Sequence, residues 1–213
     1  MLTKRDIAII SNLNKFRVMD RDSIAELHFS NLKNPSYAAN NVLLRLLREG
    51  HISRSTTFIP YVYFGSEVQM KRDSAKIGHF LAILEVYKEI RRLGQLDTFL
   101  VEPKFGKKGM AEPDIYCEYR KTPFFIEVQK SIYSEKQMQD KLNRYVDLFE
   151  SKVINPFPRI LILSEQRYAI DDYPFKIFQS HSFTYFLSTL KQQTELNCTK
   201  VKKERGGVKI KIG

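Results

Sequence analysis

The first 50 residues carry three segments in which apolar residues recur at the spacing of an amphipathic helix. The first helix begins after Thr3, whose hydroxyl can cap a helix N-terminus. A second helix is predicted over residues 20–29, where an aspartate stands at the start. Asn34 and Pro35 mark the start of a third helix, because Asn caps helices and Pro is favoured in their first turn, and Gly50 ends it.

The third predicted helix has an apolar stripe and an opposite polar stripe, and a β-hairpin over residues 51–54 and 58–64 follows it. Three helices and a hairpin in this order are typical of a winged helix-turn-helix, whose third helix enters the major groove. The predicted DNA-binding residues are Ser36, Tyr37, Asn40, Asn41, Arg45 and Arg48 on the helix and Arg54 in the hairpin. Such side chains can read base edges or bind phosphate. An ordinary polar helix face, or a protein-interaction module, would carry the same pattern.

A polar connector over residues 70–75 predicts a boundary between two domains. A long amphipathic helix follows from Lys76 to Leu93 and ends at Gly94. His79 lies on its apolar face, where we expect a hydrogen-bonded histidine rather than a metal ligand.

Two short strands joined by a charged turn are predicted over residues 115–119 and 124–129. Side chains alternate across a strand, so Glu127 and Gln129 share one face of the second strand. Asp114 stands at the start of the first strand, and we expect its carboxylate to converge with that of Glu127. Glu127 lies among apolar residues, where a carboxylate needs an ion-pair partner, a hydrogen bond or a metal. The two carboxylates of Asp114 and Glu127 together would suit Mg²⁺. The alternative is that Glu127 pairs with a Lys or Arg while Asp114 only caps a turn.

Basic residues stand before and after the Asp114 and Glu127 pair in the sequence. The loop before Asp114 contains Lys104, Lys107 and Lys108. We expect this loop to contact a phosphate backbone, although an ordinary solvated loop would have the same composition. A helix predicted over residues 134–151 places Lys141 beside its apolar stripe, within reach of the sheet edge. Further elements are predicted at 98–101, 159–163, 175–178 and 182–190.

The excess of positive charge indicates a polyanionic partner. The 213 residues have a formal net charge of +11 and a pI near 9.6, which favours nucleic acid or an anionic membrane surface. Without an apolar run long enough for a transmembrane helix or an apolar N-terminal signal region, we expect a cytoplasmic protein with no membrane partner. Residues 200–211 carry six Lys/Arg against one Glu and are predicted to add non-specific phosphate affinity. Cys117 and Cys198 form no metal-binding pattern.

The carboxylate pair resembles the core of the PD-(D/E)XK nuclease superfamily. Pro113-Asp114 matches the PD element, and Glu127-Val128-Gln129 matches the E-x-K element with Gln in the place of Lys. Gln129 is a departure, because an amide carries neither positive charge nor a transferable proton.

This resemblance implies a set of roles. The implied metal ligands are Asp114, Glu127 and Glu85, and the implied catalytic residues are Asp114, Glu127, Gln129 and Lys141. Lys141 is the candidate to supply the missing positive charge, with Lys130 behind it. The implied cofactor is Mg²⁺.

Over residues 3–165 the chain is similar to the replication-relaxation family of bacterial plasmids and mobile elements. The matching stretches are R-L-L-R-E-G-H-I, a helix that opens with His79, P-D before F-I-E-V-Q, and K-L-N-R-Y. The patterns together predict an α+β chain with a winged helix-turn-helix at 1–69, an α/β PD-(D/E)XK-like domain at 70–195 and a basic tail at 196–213. The resemblance implies a role in replication, DNA relaxation or conjugative transfer.

Three functions fit these features. The chain could be a sequence-specific binder of double-stranded DNA with a nuclease-like scaffold, or an accessory factor that also recruits a relaxase or a replication initiator. It could instead be a Mg²⁺-dependent endonuclease targeted by its winged helix. Gln129 favours the first two, the acidic pair favours the third, and a homodimer is compatible with each.

Overall fold

The computed structural model describes residues 1–170 and 172–192 and shows a mixed α+β chain with two sheets. The helices are α1 (Lys4–Phe16), α2 (Arg21–Phe29), α3 (Pro35–Arg48), α4 (Ile77–Leu93), α5 (Glu135–Glu150) and α6 (183–192). The strands are β1 (Met19–Asp20), β2 (Ile52–Ser55), β3 (Val62–Gly65), β4 (Leu96–Val101), β5 (Ile115–Tyr119), β6 (Thr122–Val128), β7 (Arg159–Leu163) and β8 (Ile177–Ser180). The predicted basic tail at 196–213 lies outside the described residues.

Local hydrogen bonds fix where the first helices begin. Thr3 and Asp6 form a reciprocal capping box on α1, with the Thr3 amide donating to Asp6 Oδ2 at 2.8 Å and the Asp6 amide donating to Thr3 Oγ1 at 3.2 Å. Asp20 caps α2 by accepting a backbone amide at 2.8 Å. α3 begins at Pro35 with Asn34 as its N-cap residue, as predicted, but the Asn34 side chain makes no capping hydrogen bond. The fixed φ of Pro35 is the sequence signal that favours the start of α3.

A three-stranded antiparallel sheet with the order β1-β3-β2 completes the N-terminal unit. β2 and β3 form the predicted hairpin, with Ile52 opposite Gly65. β3 passes so close to α1 that a Cβ on Gly65 would lie 1.7 Å from Asn14 Oδ1. β1 was not predicted, because a two-residue strand leaves no periodicity in the sequence.

The second sheet has the order β4-β5-β6-β7-β8. Its first three strands are antiparallel, whereas β6, β7 and β8 run parallel. A parallel pair requires a crossover, which α5 supplies between β6 and β7. The order α4, β4, β5, β6, α5, β7 is the one that the sequence pattern predicts. β8 lies two residues later than expected, because Phe175 packs its ring on that of Phe157 at 5.1 Å instead of joining the strand.

Apolar cores cover both faces of β6. Phe124 and Ile126 face a core that includes residues of α4 and of the N-terminal unit, and Phe125 faces the core beneath α5. A strand that is buried on both faces is apolar along its whole length. A charged residue in β6 is therefore buried whichever way it points, and Glu127 is that residue.

The connector near residue 70 joins two units that share one core. The Tyr87 ring on α4 lies 4.8 Å from the Phe16 ring of α1 and 5.0 Å from the Phe99 ring of β4. These contacts, and the continuous core around them, hold α4 against the N-terminal unit.

A buried lysine strengthens this junction. Lys88 on α4 donates to Ser23 Oγ on α2 at 2.9 Å and forms ion pairs with Glu85 at 2.6 Å and with Glu26 at 3.4 Å. Arg92, one turn further along α4, also pairs with Glu26 at 2.5 Å. Because a buried ammonium is costly without such partners, these contacts fix α4 on α2 in one orientation.

Candidate functional site

The two predicted acidic residues lie opposite each other. β5 and β6 are antiparallel with Ile115 opposite Ile126, and continuing this register by one residue places Asp114 opposite Glu127 on the same face. This register agrees with the prediction that the Asp114 and Glu127 side chains converge. Burial, followed by the nearby charge of Asp114, raises the pKa of Glu127 to about 8.

Asp114 is held by α4 and by the neighbouring strand. Its Oδ1 lies 3.2 Å from His79 Nε2, and its Oδ2 accepts the Val128 amide at 2.7 Å. Burial alone would raise the pKa of Asp114, but the His79 hydrogen bond, the Lys141 charge and the Val128 amide together hold it below its ordinary value. His79 is thus a hydrogen-bonded histidine, as its place on the apolar face of the helix indicated, and the contact with Asp114 raises its pKa.

Glu127 is held by α5. Only 2 % of its surface is exposed, Tyr145 donates its hydroxyl to Oε1 at 2.5 Å, and the Lys141 ammonium lies against Oε2. Burial lowers the pKa of Lys141, but the charges of Glu127 and Asp114 outweigh it and leave that pKa raised. Lys141 therefore reaches the acidic pair from the following helix, as its position beside the apolar stripe indicated.

Tyr145 is the member of this cluster that the sequence interpretation missed, since it counted only as part of the apolar stripe of α5. The signal that could have found it was its spacing from Lys141, because residues four apart on a helix lie on the same face. A tyrosine can pack its ring in a core while its hydroxyl serves a buried acceptor, and Tyr145 does both.

Gln129 occupies the end of the same strand face. Its amide nitrogen and oxygen are both buried, and neither has a hydrogen-bond partner within the described part of the chain. An unpaired buried amide is costly. The position that carries Lys in the resembled superfamily is therefore filled here by an amide whose side chain bonds to none of the described residues.

A cavity of about 350 Å³ leads to Glu127 and Lys141. Its wall is formed by Gly109 and Ala111 of the β4–β5 loop and by Arg144 of α5. The Ala111 amide donates to the Arg144 carbonyl at 3.2 Å, which fixes the loop on the helix. The cluster is thus accessible from the side on which the basic loop lies.

The three lysines of that loop are solvent-exposed, as a phosphate contact would require. Lys104 is paired with Glu112 at 3.2 Å, whereas no ion pair within the described residues engages Lys107 or Lys108. Their contact with DNA stays a prediction.

Glu85 does not join the cluster, and this expectation is wrong. Its side chain is 60 % exposed, pairs with Lys88 at 2.6 Å, and borders a different cavity from the one that Glu127 and Lys141 line. His79 and Glu85 are six positions apart, which places them about 120° apart around a helix. The residue that α4 contributes to the acidic pair is therefore the histidine.

The exposed face of α3 carries most of the residues predicted to contact DNA. Ser36, Tyr37, Asn41 and Arg48 are exposed, Tyr37 by 69 %, and Asn40 is half-buried. Leu44 is also exposed in the middle of this face, which is therefore less polar than predicted. We name this surface, Tyr37, Asn41, Leu44 and Arg48, the α3 face.

Arg45 was predicted to contact DNA, but its side chain is engaged within the protein. Its guanidinium donates to Asp6 Oδ1 at 2.6 Å and pairs with Glu49 at 3.2 Å. Asp6 is only 1 % exposed, and burial would raise its pKa, but the bonds from Arg45 and Thr3 hold that pKa below its usual value. Arg45 therefore neutralises a buried carboxylate.

The hairpin beside α3 ends in a loop over residues 56–61. Arg54 at its base is exposed, and its guanidinium lies 4.9 Å above the Tyr61 ring. Ile59 at the tip is 97 % exposed.

Comparisons of the chain with protein-family models, curated proteins and solved structures found no match. In the part of the chain that the structure describes, no helix is long and apolar enough to cross a membrane. No group of three or more His, Cys, Asp or Glu side chains there has a metal-binding arrangement. Functional inference therefore depends on the α3 face with its hairpin and on the cluster around Glu127.

Proposed function

We propose that this is a double-stranded-DNA-binding protein that uses a winged helix-turn-helix at residues 1–69 and a nuclease-like second domain without cutting activity. The observation that carries the proposal is the α3 face. Its Tyr37, Asn41 and Arg48 point away from the core beside the exposed Arg54 of the hairpin. Asn and Arg side chains make bidentate contacts to adenine and guanine in the major groove.

Charge supports the same proposal. Apart from Arg45, which is paired with Asp6, residues 30–66 contain Lys33, Arg48 and Arg54 but only one acidic residue, Glu49. The whole chain carries +11, so the field around this surface attracts phosphate. The element order α1, α2, α3, β2, β3 is the order that a winged helix-turn-helix requires.

The second domain is proposed to be of PD-(D/E)XK type because the acidic pair and the element order around it match that core. A Mg²⁺ ion does not fit the pair as it is arranged. Mg²⁺ needs accessible oxygen ligands in an octahedron and keeps several waters. The Asp114 oxygens are bonded to His79 and Val128, and the Glu127 oxygens to Tyr145 and Lys141. When Glu127 loses its proton, the Lys141 ammonium already balances its charge.

This arrangement favours an accessory or regulatory role over catalysis. We propose that the protein acts on plasmid or mobile-element DNA in replication, relaxation or transfer, in the cytoplasm, with a relaxase or replication initiator as protein partner. The second domain would then serve as a scaffold that holds the DNA-binding unit in position.

A Mg²⁺-dependent endonuclease is the second candidate function. It is favoured by the proximity of Asp114, Glu127 and Lys141, the last two of which line a cavity. Cutting would require Lys141 to leave Glu127. Incubation of supercoiled plasmid with the protein in Mg²⁺ or Mn²⁺ tests this candidate, and we expect no nicking. Nicking that disappears in both Asp114→Ala and Glu127→Ala would establish the enzyme instead.

The DNA-binding proposal is tested by mobility shift on duplexes selected from a randomised pool. Arg48→Ala and Asn41→Ala should each weaken binding to the selected duplex by about 1–3 kcal/mol, the usual worth of a bidentate base contact. Lys136→Ala on α5 is the matched control, because it removes one exposed positive charge far along the chain. If all three variants bind alike, α3 does not read DNA.

A further inference from the structure

The hairpin loop exposes an apolar side chain in an unusual setting. Phe58 packs against the core and anchors the loop, whereas the adjacent Ile59 is 97 % exposed at its tip. Pro60 follows and restricts the backbone on that side. The loop thus presents one branched apolar side chain to solvent on an anchored backbone.

Polar groups surround this tip. The Arg54 guanidinium lies over the Tyr61 ring, and Arg21 and Asn40 line a cavity of about 380 Å³ between the hairpin and α3 that Ile59 also borders. Residues 51–61 include no acidic side chain. An apolar tip beside cations, without a nearby carboxylate, suits a nucleic-acid duplex, which has phosphates on its outside and flat base pairs inside.

We propose that Ile59 is a wedge that enters the minor groove and inserts between two base pairs while the α3 face lies in the adjacent major groove. This proposal rests on the proposed DNA binding and adds a deformation of the DNA to it. Architectural proteins insert isolated Ile, Leu, Phe or Pro side chains in this way, with Arg beside them, and so unstack one step and kink the duplex. Arg54 is the neighbouring cation here.

The wedge predicts a sequence preference at a base-pair step to which the protein makes no hydrogen bond. Pyrimidine–purine steps unstack most easily, so the duplexes that the protein selects should contain such a step at the place where the hairpin lies. Insertion should also bend the DNA toward the major groove.

The experiment measures bending and affinity on one selected duplex of about 30 base pairs, labelled at its two ends for energy transfer. The full chain is compared with Ile59→Ser, which removes the wedge, and with Ile59→Leu, which retains an apolar wedge. Ile59→Ser should abolish the bend and weaken binding about tenfold, as expected for the loss of one buried apolar side chain. Ile59→Leu should keep both. Neither change should alter the fold, because Ile59 makes almost no contact with the rest of the chain.

Salt dependence separates the wedge from its charged neighbour. Ile59→Ser should leave the slope of log K against log salt unchanged, whereas Arg54→Ala should reduce it by about 0.9 if Arg54 neutralises one phosphate.

Three results would overturn the wedge. If wild type and Ile59→Ser bend the duplex equally, Ile59 does not insert. If bending is unchanged while Ile59→Ser converts a dimer into a monomer in sedimentation, the tip is a protein contact. If the wild type binds no duplex at all, the proposed function fails as well, which distinguishes that failure from a failure of the wedge alone.

Discussion

Replacing Lys141 by Met tests the buried cluster, because the substitution keeps the aliphatic stem but removes the ammonium from Glu127. The folded pKa of Glu127, about 8, lies above the ordinary 4.5. A carboxyl raised in this way contributes stability that is fully present below its unfolded pKa and is lost as pH rises through its folded pKa. Without Lys141 that folded pKa rises further, since the ammonium is one of the groups that hold it down.

The magnitude follows from this linkage. At pH 6 Glu127 is protonated in both proteins, so Lys141→Met should lose little stability. Above pH 8 Glu127 of the native protein loses its proton and pairs with Lys141, whereas Glu127 of the variant stays protonated until the pH reaches its own higher pKa. The deficit should then grow by up to about 1.4 kcal/mol per pH unit, toward the about 3–5 kcal/mol of a broken buried pair. At pH 9 a deficit of about 1–2 kcal/mol corresponds to a melting temperature lower by roughly 2–8 °C for a chain of this size.

Thermal and urea unfolding at pH 6 and pH 9 measure this difference. Lys136→Met is the control, because Lys136 is exposed on the same helix. Adding Glu127→Gln to Lys141→Met should remove the pH dependence, since a glutamine still accepts the Tyr145 hydroxyl and carries no charge. Equal deficits at pH 6 and pH 9 would refute the coupling between Lys141 and Glu127.

Three further outcomes are expected. Arg45→Ala should cost about 1–3 kcal/mol of stability because it leaves Asp6 buried without its cation, and an unchanged urea midpoint would contradict this. The contact with Asp114 raises the pKa of His79 above 6.5, so its stabilisation is complete below pH 6.5 and is lost as pH rises through the folded value. His79→Gln should therefore destabilise by about 1–2 kcal/mol at pH 6 and much less at pH 9, and equal losses would refute the linkage. Deleting residues 200–213 should lower the salt slope of DNA binding by about 0.9 for each phosphate that this segment neutralises, and an unaltered slope would show that the segment does not bind DNA.

Local patterns in the sequence predicted the elements and one important pairing. The alternation along β6 placed Glu127 on the face that Asp114 shares, because side-chain period and antiparallel register are both local properties. The reach of Lys141 followed from its position beside the apolar stripe of α5 in the same way. In both cases the spacing of a few residues determines which side chains can meet.

Long-range choices were not predictable in this way. Arg45 belongs to the exposed half of α3 by spacing, but the buried Asp6, 39 positions earlier, takes its guanidinium. Glu85 was expected at the acidic pair, and here helical spacing from His79 could already have shown that the two residues diverge around α4. The boundary near residue 70 was read from a polar connector, which carries no information about the core that Phe16 and Tyr87 share. The Asp6–Arg45 pair and the core shared by Phe16 and Tyr87 both involve partners that only tertiary packing brings near.

The burial of Lys88 between α4 and α2 has a consequence for any attempt to exchange parts of this protein with another. The N-terminal unit ends in sequence near residue 70, but the surface that it presents to α4 includes Ser23 and Glu26, which are matched to one ammonium. A chimera cut at the connector would expose apolar rings on both fragments and leave an ammonium facing whatever replaces α2. A graft of the N-terminal unit must therefore carry α4 with it and must also cover the face of α4 on which Tyr87 contacts Phe99 of β4.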